Sequence, residues 1–568
     1  MTTIDHADNL PTDSTIDIAS TESVSAEQAE TNVGVARATG VVALGNIASR
    51  VLGLAREIVL TNLFGASGAV DALNVAIIIP KAIYDLLIGG HINSALVPVL
   101  SEVSTRDGQK ALWQLVSVLL SLVTVILAAL VLLIEVFAPQ IVRLIGSGFD
   151  ADTFALATDL LRLTAPALVF LSLFAVLSGT LYALRSFTWP AFAGAVFNGS
   201  IVIATLLLVP GERVTTVLNG PHVEWTLVRP ANAITAAALG WLIGALAQFV
   251  LQWPGLRESR LRFSIQWNHP AVRRITHLYA PVMFSLILDT LVIRTFSFNL
   301  ASQTGEGSIG YMAWATTLIQ FPQGLVATAI SIAILPTLSR QATRIATEGS
   351  KPFKDTLGLG LRLAITLILP AAIGLFVLAT PIVALIFEHG AFTAVDTSIT
   401  SLVLRLYLIG LPFAAIDLLL VYAFYARQDT LTPALIGALS LTVYMITALV
   451  LLPRYGLFSL MIADSMKHIT HALVSAYLLS RRIDGLGHQR LLLTTSKAGA
   501  AALVMGVVGV VLTPALVTVV STQHLIGEML LVGAMGGIST IVFLLMATVL
   551  RLEELYWIAG LVKRRLLG

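Results

Sequence analysis

The sequence predicts an all-α polytopic membrane protein: fourteen transmembrane helices forming two pseudo-symmetric six-helix lobes, followed by two C-terminal helices. Three observations predict it. Of 568 residues, 57% are hydrophobic and only 12% are charged, about half the charged share of an ordinary soluble domain, and the mean hydropathy is +0.88. From Val33 onward, apolar stretches follow one another, each near the roughly 20 helical residues that cross a bilayer. Finally, motifs from the first half recur in the second half. The composition excludes a nucleic-acid-binding protein, a disordered scaffold and most soluble enzymes. A transmembrane β-barrel is excluded because its alternating strands would dilute the hydrophobicity. With no cysteine, disulfides and thiolate metal sites are unavailable.

Residues 1–32 hold seven acidic residues (Asp5, Asp8, Asp13, Asp17, Glu22, Glu27, Glu30) and no Lys or Arg. Such a stretch buries too little apolar area to order itself, so a disordered cytoplasmic tail is expected. The apolar stretches are 36–64, 70–100, 111–138, 154–185, 189–210, 230–253, 272–301, 308–340, 355–380, 397–427, 431–452, 456–481, 497–520 and 524–551. Placing the N-terminus inside assigns twenty-one Lys and Arg to inside loops and the C-terminal tail. The outside loops receive four, Arg143, Arg213, Arg229 and Arg454. This bias is the positive-inside pattern, and miscounting one helix would destroy it. The tail Lys563-Arg564-Arg565 suits anionic headgroups.

The second span ends Leu96-Val97-Pro98-Val99-Leu100-Ser101 and the eighth ends Ile334-Leu335-Pro336-Thr337-Leu338-Ser339, an offset of 238 residues. The junction of spans 4 and 5 runs from Tyr182 to Pro190 and that of spans 10 and 11 from Tyr425 to Pro433, an offset of 243. A six-helix unit duplicated in tandem keeps one orientation, with its axis along the membrane normal. The expected organisation is therefore an acidic tail (1–32), an N-lobe (33–255), a C-lobe (256–482), a final helix pair (483–552) and a basic cytoplasmic tail (553–568).

Charges inside spans need a partner, a wet cavity or an interface. Spans 1 and 2 hold Arg50, Arg56, Glu57, Asp71, Lys81, Asp85 and His91. Arg50 and Glu57 share a helical face, and Lys81 can pair with Asp85 one turn on. Arg suits phosphate through its planar fork of donors. Span 7 carries Asp289 and Arg294, and Pro322 with Gly324 marks a break in span 8. Asp417 lies mid-span, and Asp464, Lys467, His468 and His471 share a broad face of span 12. Two His and an Asp make a poor metal site and a better hydrogen-bonded polar seam. The soluble-chemistry motifs G-x-x-x-x-G-K, H-E-x-x-H and G-x-S-x-G do not occur. Asn198-Gly199-Ser200 matches a glycosylation sequon but falls inside a span. No catalytic residue, metal site or cofactor is expected. Transport would be secondary or gradient-driven unless a separate subunit hydrolyses ATP, with the membrane potential or a cation gradient as the drive.

Ser49-Arg50-Val51-Leu52-Gly53-Leu54-Ala55-Arg56-Glu57, Phe64-Gly65-Ala66 and Asp71-Ala72 resemble the opening of the MurJ (MviN) lipid II flippases of the multidrug/oligosaccharidyl-lipid/polysaccharide exporter superfamily. Phe321-Pro322-Gln323-Gly324, Leu335 to Ser339, Phe387 to Thr393 and Phe424 to Pro433 agree with it. The resemblance implies two lobes around a cavity that takes a pyrophosphate and sugars, with the last two helices forming a groove for a polyprenyl tail. It further implies cavity cations at Arg50 and Arg56, an acidic position at Asp71 and a sodium-linked carboxylate at Asp289. Three positions depart from the family pattern. Asp85 stands where an Arg is common, and Thr317 and Gln320 stand where Arg and Glu are common, with Lys81 and Arg294 as candidate compensating cations. Span 11 also lacks Asn, Asp and Glu, which argues against a complete sodium site. The implied partners are lipid II or a related polyprenyl-pyrophosphate glycolipid, membrane lipids and cell-wall synthesis proteins, in a bacterial plasma membrane with both termini cytoplasmic. Three alternatives stay open: another polyprenyl-pyrophosphate-linked saccharide, a transport-inactive membrane partner in cell-wall synthesis, and a multidrug exporter.

Overall fold

The structure is a computed structural model that describes residues 16–88, 91–208, 231–256, 292–520 and 524–557, the strand segments 214–219 and 222–227, and scattered positions from 259 to 275 and at 560. In the first half the helices are α1 (Ile16–Phe64), α2 (Gly68–Ile88), α3 (His91–Arg106), α4 (Gly108–Ile145), α5 (Ala151–Thr164), α6 (Ala167–Ala183), α7 (Thr188–Leu208) and α8 (Thr235–Val250). In the second they are α9 (Arg294–Ser302), α10 (Ser308–Pro322), α11 (Ala329–Thr343), α12 (Lys351–Val377), α13 (Ala379–Phe387), α14 (Ala394–Ala426), α15 (Leu431–Tyr455), α16 (Phe458–Arg482), α17 (Leu491–Val519) and α18 (Leu525–Val549). Among the described residues ten helical segments are long and apolar enough to cross a membrane. They coincide with ten of the expected spans. Of the other four, the span at 36–64 lies within α1, that at 456–481 lies within α16 with its charge cluster, and that at 70–100 is divided between α2 and α3. Most of the span at 272–301, including Asp289, lies outside the described residues.

Two expectations are corrected. Residues 16–32 are helical rather than disordered, because α1 begins at Ile16. Extending an established helix adds a hydrogen bond per residue without a new nucleus. Pro322 and Gly324 do not break span 8. A π-helical turn at Gln323–Thr328 joins α10 to α11, widening the register where Pro322 has no N–H to donate. The connection between α7 and α8 holds a two-stranded antiparallel hairpin, Val214–Asn219 with His222–Leu227, Asn219 pairing with His222.

The tandem duplication is visible in backbone geometry. Arg185 and Gln428, 243 apart, both adopt left-handed φ, 59° and 60°. Each ends a helix in the same way: Ser186 N–H donates to the Leu181 carbonyl at 2.8 Å, and Asp429 N–H to that of Phe424 at 3.0 Å. Gly65 and Gly307, 242 apart, also share positive φ, 58° and 77°, and Pro80 and Pro322 keep that spacing. The offset then falls to 238 at Pro98 and Pro336, about one helical turn. There the first copy divides into α2 and α3 while the second runs on through its π turn. A left-handed non-glycine residue costs roughly 1 kcal/mol, partly offset by glycine's greater freedom in the unfolded chain. Because both side chains are exposed, the double variant Arg185→Gly/Gln428→Gly is expected to raise the thermal unfolding midpoint in detergent.

The first-half helices pack as α1 on α7, α7 on α8, α2 on α5 and α6 on α8. In the second half, α14 takes α10, α12 and α16, while α17 and α18 pack on each other and against α12 and α13. An ion pair, half-buried Arg362 to buried Glu554 at 2.8 Å, ties α12 to the segment following α18. The largest apolar core runs through both halves, from Leu73 and Leu160 to Trp314 and Phe387.

Candidate functional site

The halves meet through α1 with α13, α2 with α9 and α10, and α4 with α9. Several hydrogen bonds close them at one end, while near the start of α4 the backbone N–H groups of Arg262 and Ser264 donate to Ser117 Oγ and Ser121 Oγ at 3.1 Å and 2.9 Å. Ala391 N–H donates to the Asn62 carbonyl at 2.9 Å, Gly148 N–H to Ser302 Oγ at 3.1 Å and Asn299 Nδ2 to the Leu144 carbonyl at 2.8 Å. Gly148 and Gly390 permit this approach, since a Cβ at either would lie within 2.4 Å of the opposing backbone. Of the expected outside-loop arginines, Arg143 precedes Leu144, whose carbonyl takes part in this closure.

Asp71 belongs to this closure. It is 1% exposed, and its Oδ1 accepts from Gly310 N–H at 2.8 Å, with further backbone hydrogen bonds from Gly307 and Ile309. Asp71 therefore satisfies the orphan donors of the first turn of α10 from the first turn of α2, where helix dipoles favour an anion. The resemblance grouped it with the cavity cations; in the structure its carboxylate joins α2 to the first turn of α10.

Arg50 is exposed on α1, fourteen residues before Phe64. Its guanidinium lies against Gly324 in the π turn, so that a Cβ there would stand 2.8 Å from Nη2. Gly324 is fourteen residues beyond Gly310, which places Arg50 about 21 Å deeper than Asp71 along the facing helix. Thr316 and Gln320 are exposed on α10 between these levels. Thr316 and Thr317 donate to the carbonyls of Met312 and Ala313, which leaves their oxygens as the polar surface.

Arg56 is committed differently. Its Nη2 pairs with Glu57 Oε1 at 2.5 Å, and its Nη1 donates to Asn198 Oδ1 at 2.9 Å. Asn198 Nδ2 in turn donates to the Ser49 carbonyl at 3.2 Å and the Gly194 carbonyl at 3.0 Å. Glu57 thus serves Arg56, its sequence neighbour, although helical spacing pointed to Arg50. Sequence reasoning passed over Asn198 as a chance sequon; an Asn on an apolar span beside a charged one was the available signal. Arg294 is exposed at the start of α9, and Lys81 is half-buried one residue beyond Pro80 in α2. The Asp85 side chain, and all of Asp289, lie outside the described residues.

The span 12 charges form a seam with α14. His471 Nδ1 meets Asp417 Oδ1, and Ser475 Oγ lies 3.4 Å from the same carboxylate. Lys467 Nζ donates to Asp464 at 2.6 Å, with His468 3.7 Å from Asp464. The two His are thereby engaged by carboxylates, and among the described residues no group of three or more His, Cys, Asp or Glu is placed to hold a metal. Beyond the spans, Asp429 lies in the turn between α14 and α15. Burial opposes its ionisation, but hydrogen bonds from Thr432 and the Arg482 guanidinium hold its carboxyl below the usual range.

The family model for the lipid II flippase MurJ matches residues 60–533. The chain belongs to the MurJ family. It is 31% identical over 420 residues to the lipid II flippase MurJ of Burkholderia cenocepacia, covering 72% of this chain and 76% of that one. It is 30% identical over 454 residues to a probable MurJ of Haemophilus influenzae, covering 76% and 83%. A solved MurJ in an inward closed conformation shares the fold with a TM-score of 0.71 at 24% identity, covering 93% of this chain and 99% of that one. An inward-facing multidrug-resistance MATE transporter of the MOP superfamily aligns at a TM-score of 0.59 and 15% identity, covering 77% and 96%. Both comparisons place this helical arrangement within the fold shared by MurJ and MATE proteins.

Proposed function

We propose that this chain translocates lipid II across a bacterial plasma membrane by alternating access, with fourteen spans and both termini cytoplasmic. The observation carrying the reading is Arg50, a mid-span guanidinium presented between two halves that hydrogen bonds close around Asp71 and Asn62. Arg grips a pyrophosphate through paired donors, and a cation that deep in a span needs a wet, functional setting. The closed end is the cation-poor one, so the positive-inside bias makes it the outer end and the arrangement inward-facing. The named activity of the relatives and the shared family support the same substrate.

The test is depletion-rescue in a bacterium whose only lipid II flippase is repressible. Wild-type chain is expected to restore growth and lipid II export. Failure despite membrane expression would overturn the reading. It would then favour another polyprenyl-pyrophosphate saccharide, for which the uncharged Thr317 and Gln320 are the motivating positions.

A further inference from the structure

Beyond α8, residues 261–264 are non-helical and lie along the flank of α4. Arg262 N–H donates to Ser117 Oγ at 3.1 Å and Ser264 N–H to Ser121 Oγ at 2.9 Å. Donors two residues apart in the segment thus meet acceptors four apart on the helix. Two residues of extended chain advance about 6.6 Å and four of helix about 6 Å, so the two spacings match. Each serine hydroxyl donates its own proton to the carbonyl one turn back, Trp113 or Ser117, which leaves its lone pairs for the segment. Between helix and segment runs a cleft of about 210 Å³, with Leu120 and Thr124 on one wall and Leu261, Arg262 and Phe263 on the other.

The depth of this cleft follows from α4 itself. Its exposed large apolar residues run from Val125 to Leu144, a rise of about 29 Å, close to the roughly 30 Å of bilayer hydrocarbon. Thr124 and Ser121 stand about 2 and 6 Å beyond that stripe, at headgroup level, toward the end of α4 opposite the closure at Leu144. There the backbone N–H of Arg262 is engaged by Ser117, while its guanidinium lines the cleft. Leu261 and Phe263, on either side of it, are exposed. The sequence around it is basic, with Arg257, Arg260 and Arg262 against Glu258. A cation at headgroup level flanked by exposed apolar side chains matches an anionic phospholipid, phosphate to guanidinium and acyl chains to Leu and Phe. A soluble anion would leave Leu261 and Phe263 in water.

We propose that the cleft between α4 and residues 261–264 binds the headgroup of an anionic phospholipid of the inner leaflet, held by Arg262. The bound lipid fastens the segment to α4 and so anchors the chain that leads from the first half to the second. The site is separate from the space that Arg50 faces. Only its assignment to the inner leaflet rests on the orientation proposed above.

The test uses the full chain, which has no cysteine of its own, in phosphatidylcholine nanodiscs. Val125→Cys, one helical turn beyond Ser121, carries a fluorophore. Quenching is compared between equal small fractions of phosphatidylglycerol and phosphatidylcholine, each bearing a nitroxide high on one acyl chain. The fluorophore is expected to report about fivefold higher association of phosphatidylglycerol, the worth of one arginine beside anionic lipid. Arg262→Gln should bring the ratio close to one, and Arg262→Lys should keep most of the preference. Ser117→Ala/Ser121→Ala retains the arginine but removes the acceptors that hold the segment, and should lose the preference as well. Equal quenching by the two lipids in the wild type overturns the proposal, as does an unchanged ratio in Arg262→Gln. A preference that survives in the double serine variant would make Arg262 a bare surface charge and overturn the cleft as the site. Loss of the preference in inorganic phosphate, at matched ionic strength, would assign the site to a soluble anion instead. No transport is measured, so failed rescue leaves the quenching ratio interpretable and a failed ratio leaves the rescue experiment untouched.

Discussion

Arg50→Ala is expected to abolish rescue in the depletion strain while the protein still reaches the membrane, and Arg50→Lys to restore part of it. Truncation removes a guanidinium presented to the space between the halves. Losing one charge-assisted, bidentate grip on a pyrophosphate costs on the order of 2 kcal/mol or more, tenfold or greater in transport. Lysine keeps the charge but not the planar fork. The contrast is Arg56, whose donors are taken by Glu57 and Asn198. Arg56→Ala alone would strand a half-buried Glu57, so the informative variant is Arg56→Gln/Glu57→Gln. It preserves net charge and hydrogen-bonding groups and is expected to keep most of the rescue. If Arg50→Ala rescues fully while the double variant does not, the pyrophosphate grip belongs to Arg56 and the division of roles drawn here is wrong. Gly324→Ala adds a graded probe. The atoms nearest its Cβ would be the guanidinium of Arg50, so it should displace that group and lower transport without removing it.

Much of the fold was legible because a bilayer imposes it. Among the described residues, ten apolar stretches found by length and hydropathy are ten long helical segments. The duplication read from two short motifs reappears as matching left-handed residues at 185 and 428. What remained illegible depended on long-range contacts. Asp71 read as one more intramembrane charge, since nothing near it in sequence shows that Gly307, Ile309 and Gly310 stand opposite. Helical spacing put Glu57 on the Arg50 face. The neighbouring Arg56 won because Asn198, on a helix 142 residues away, holds the other edge of its guanidinium. Pro322 and Gly324 were legible as an irregularity, but not as a π turn rather than a break. The span 12 charges were legible as a seam; their ordering into two carboxylate-centred groups required Asp417 from α14.

Asp71→Ala should unlock the closed end. The carboxylate is buried between the first turns of α2 and α10, and its removal orphans the backbone donors of residues 307, 309 and 310. A lost helix cap or hydrogen bond to a charged acceptor costs about 2 kcal/mol, and here that cost falls only on the conformation in which α2 meets α10. The closed-to-open ratio should therefore drop roughly thirtyfold. The rate at which a maleimide labels Ser302→Cys, 5% exposed at the closed end of a chain without other cysteines, reads this directly and should rise by a comparable factor. Asp71→Asn, which keeps one acceptor oxygen but presents an amide to the same donors, should fall between. Rescue should fail in Asp71→Ala even though Arg50 is untouched, because a transporter that cannot reseal its outer end cannot present its binding face inward again. Unchanged protection of Ser302→Cys in Asp71→Ala would show that the remaining contacts, Asn62 with Ala391 and Gly148 with Ser302, hold the halves without it. Asp71 would then be a local cap rather than a latch.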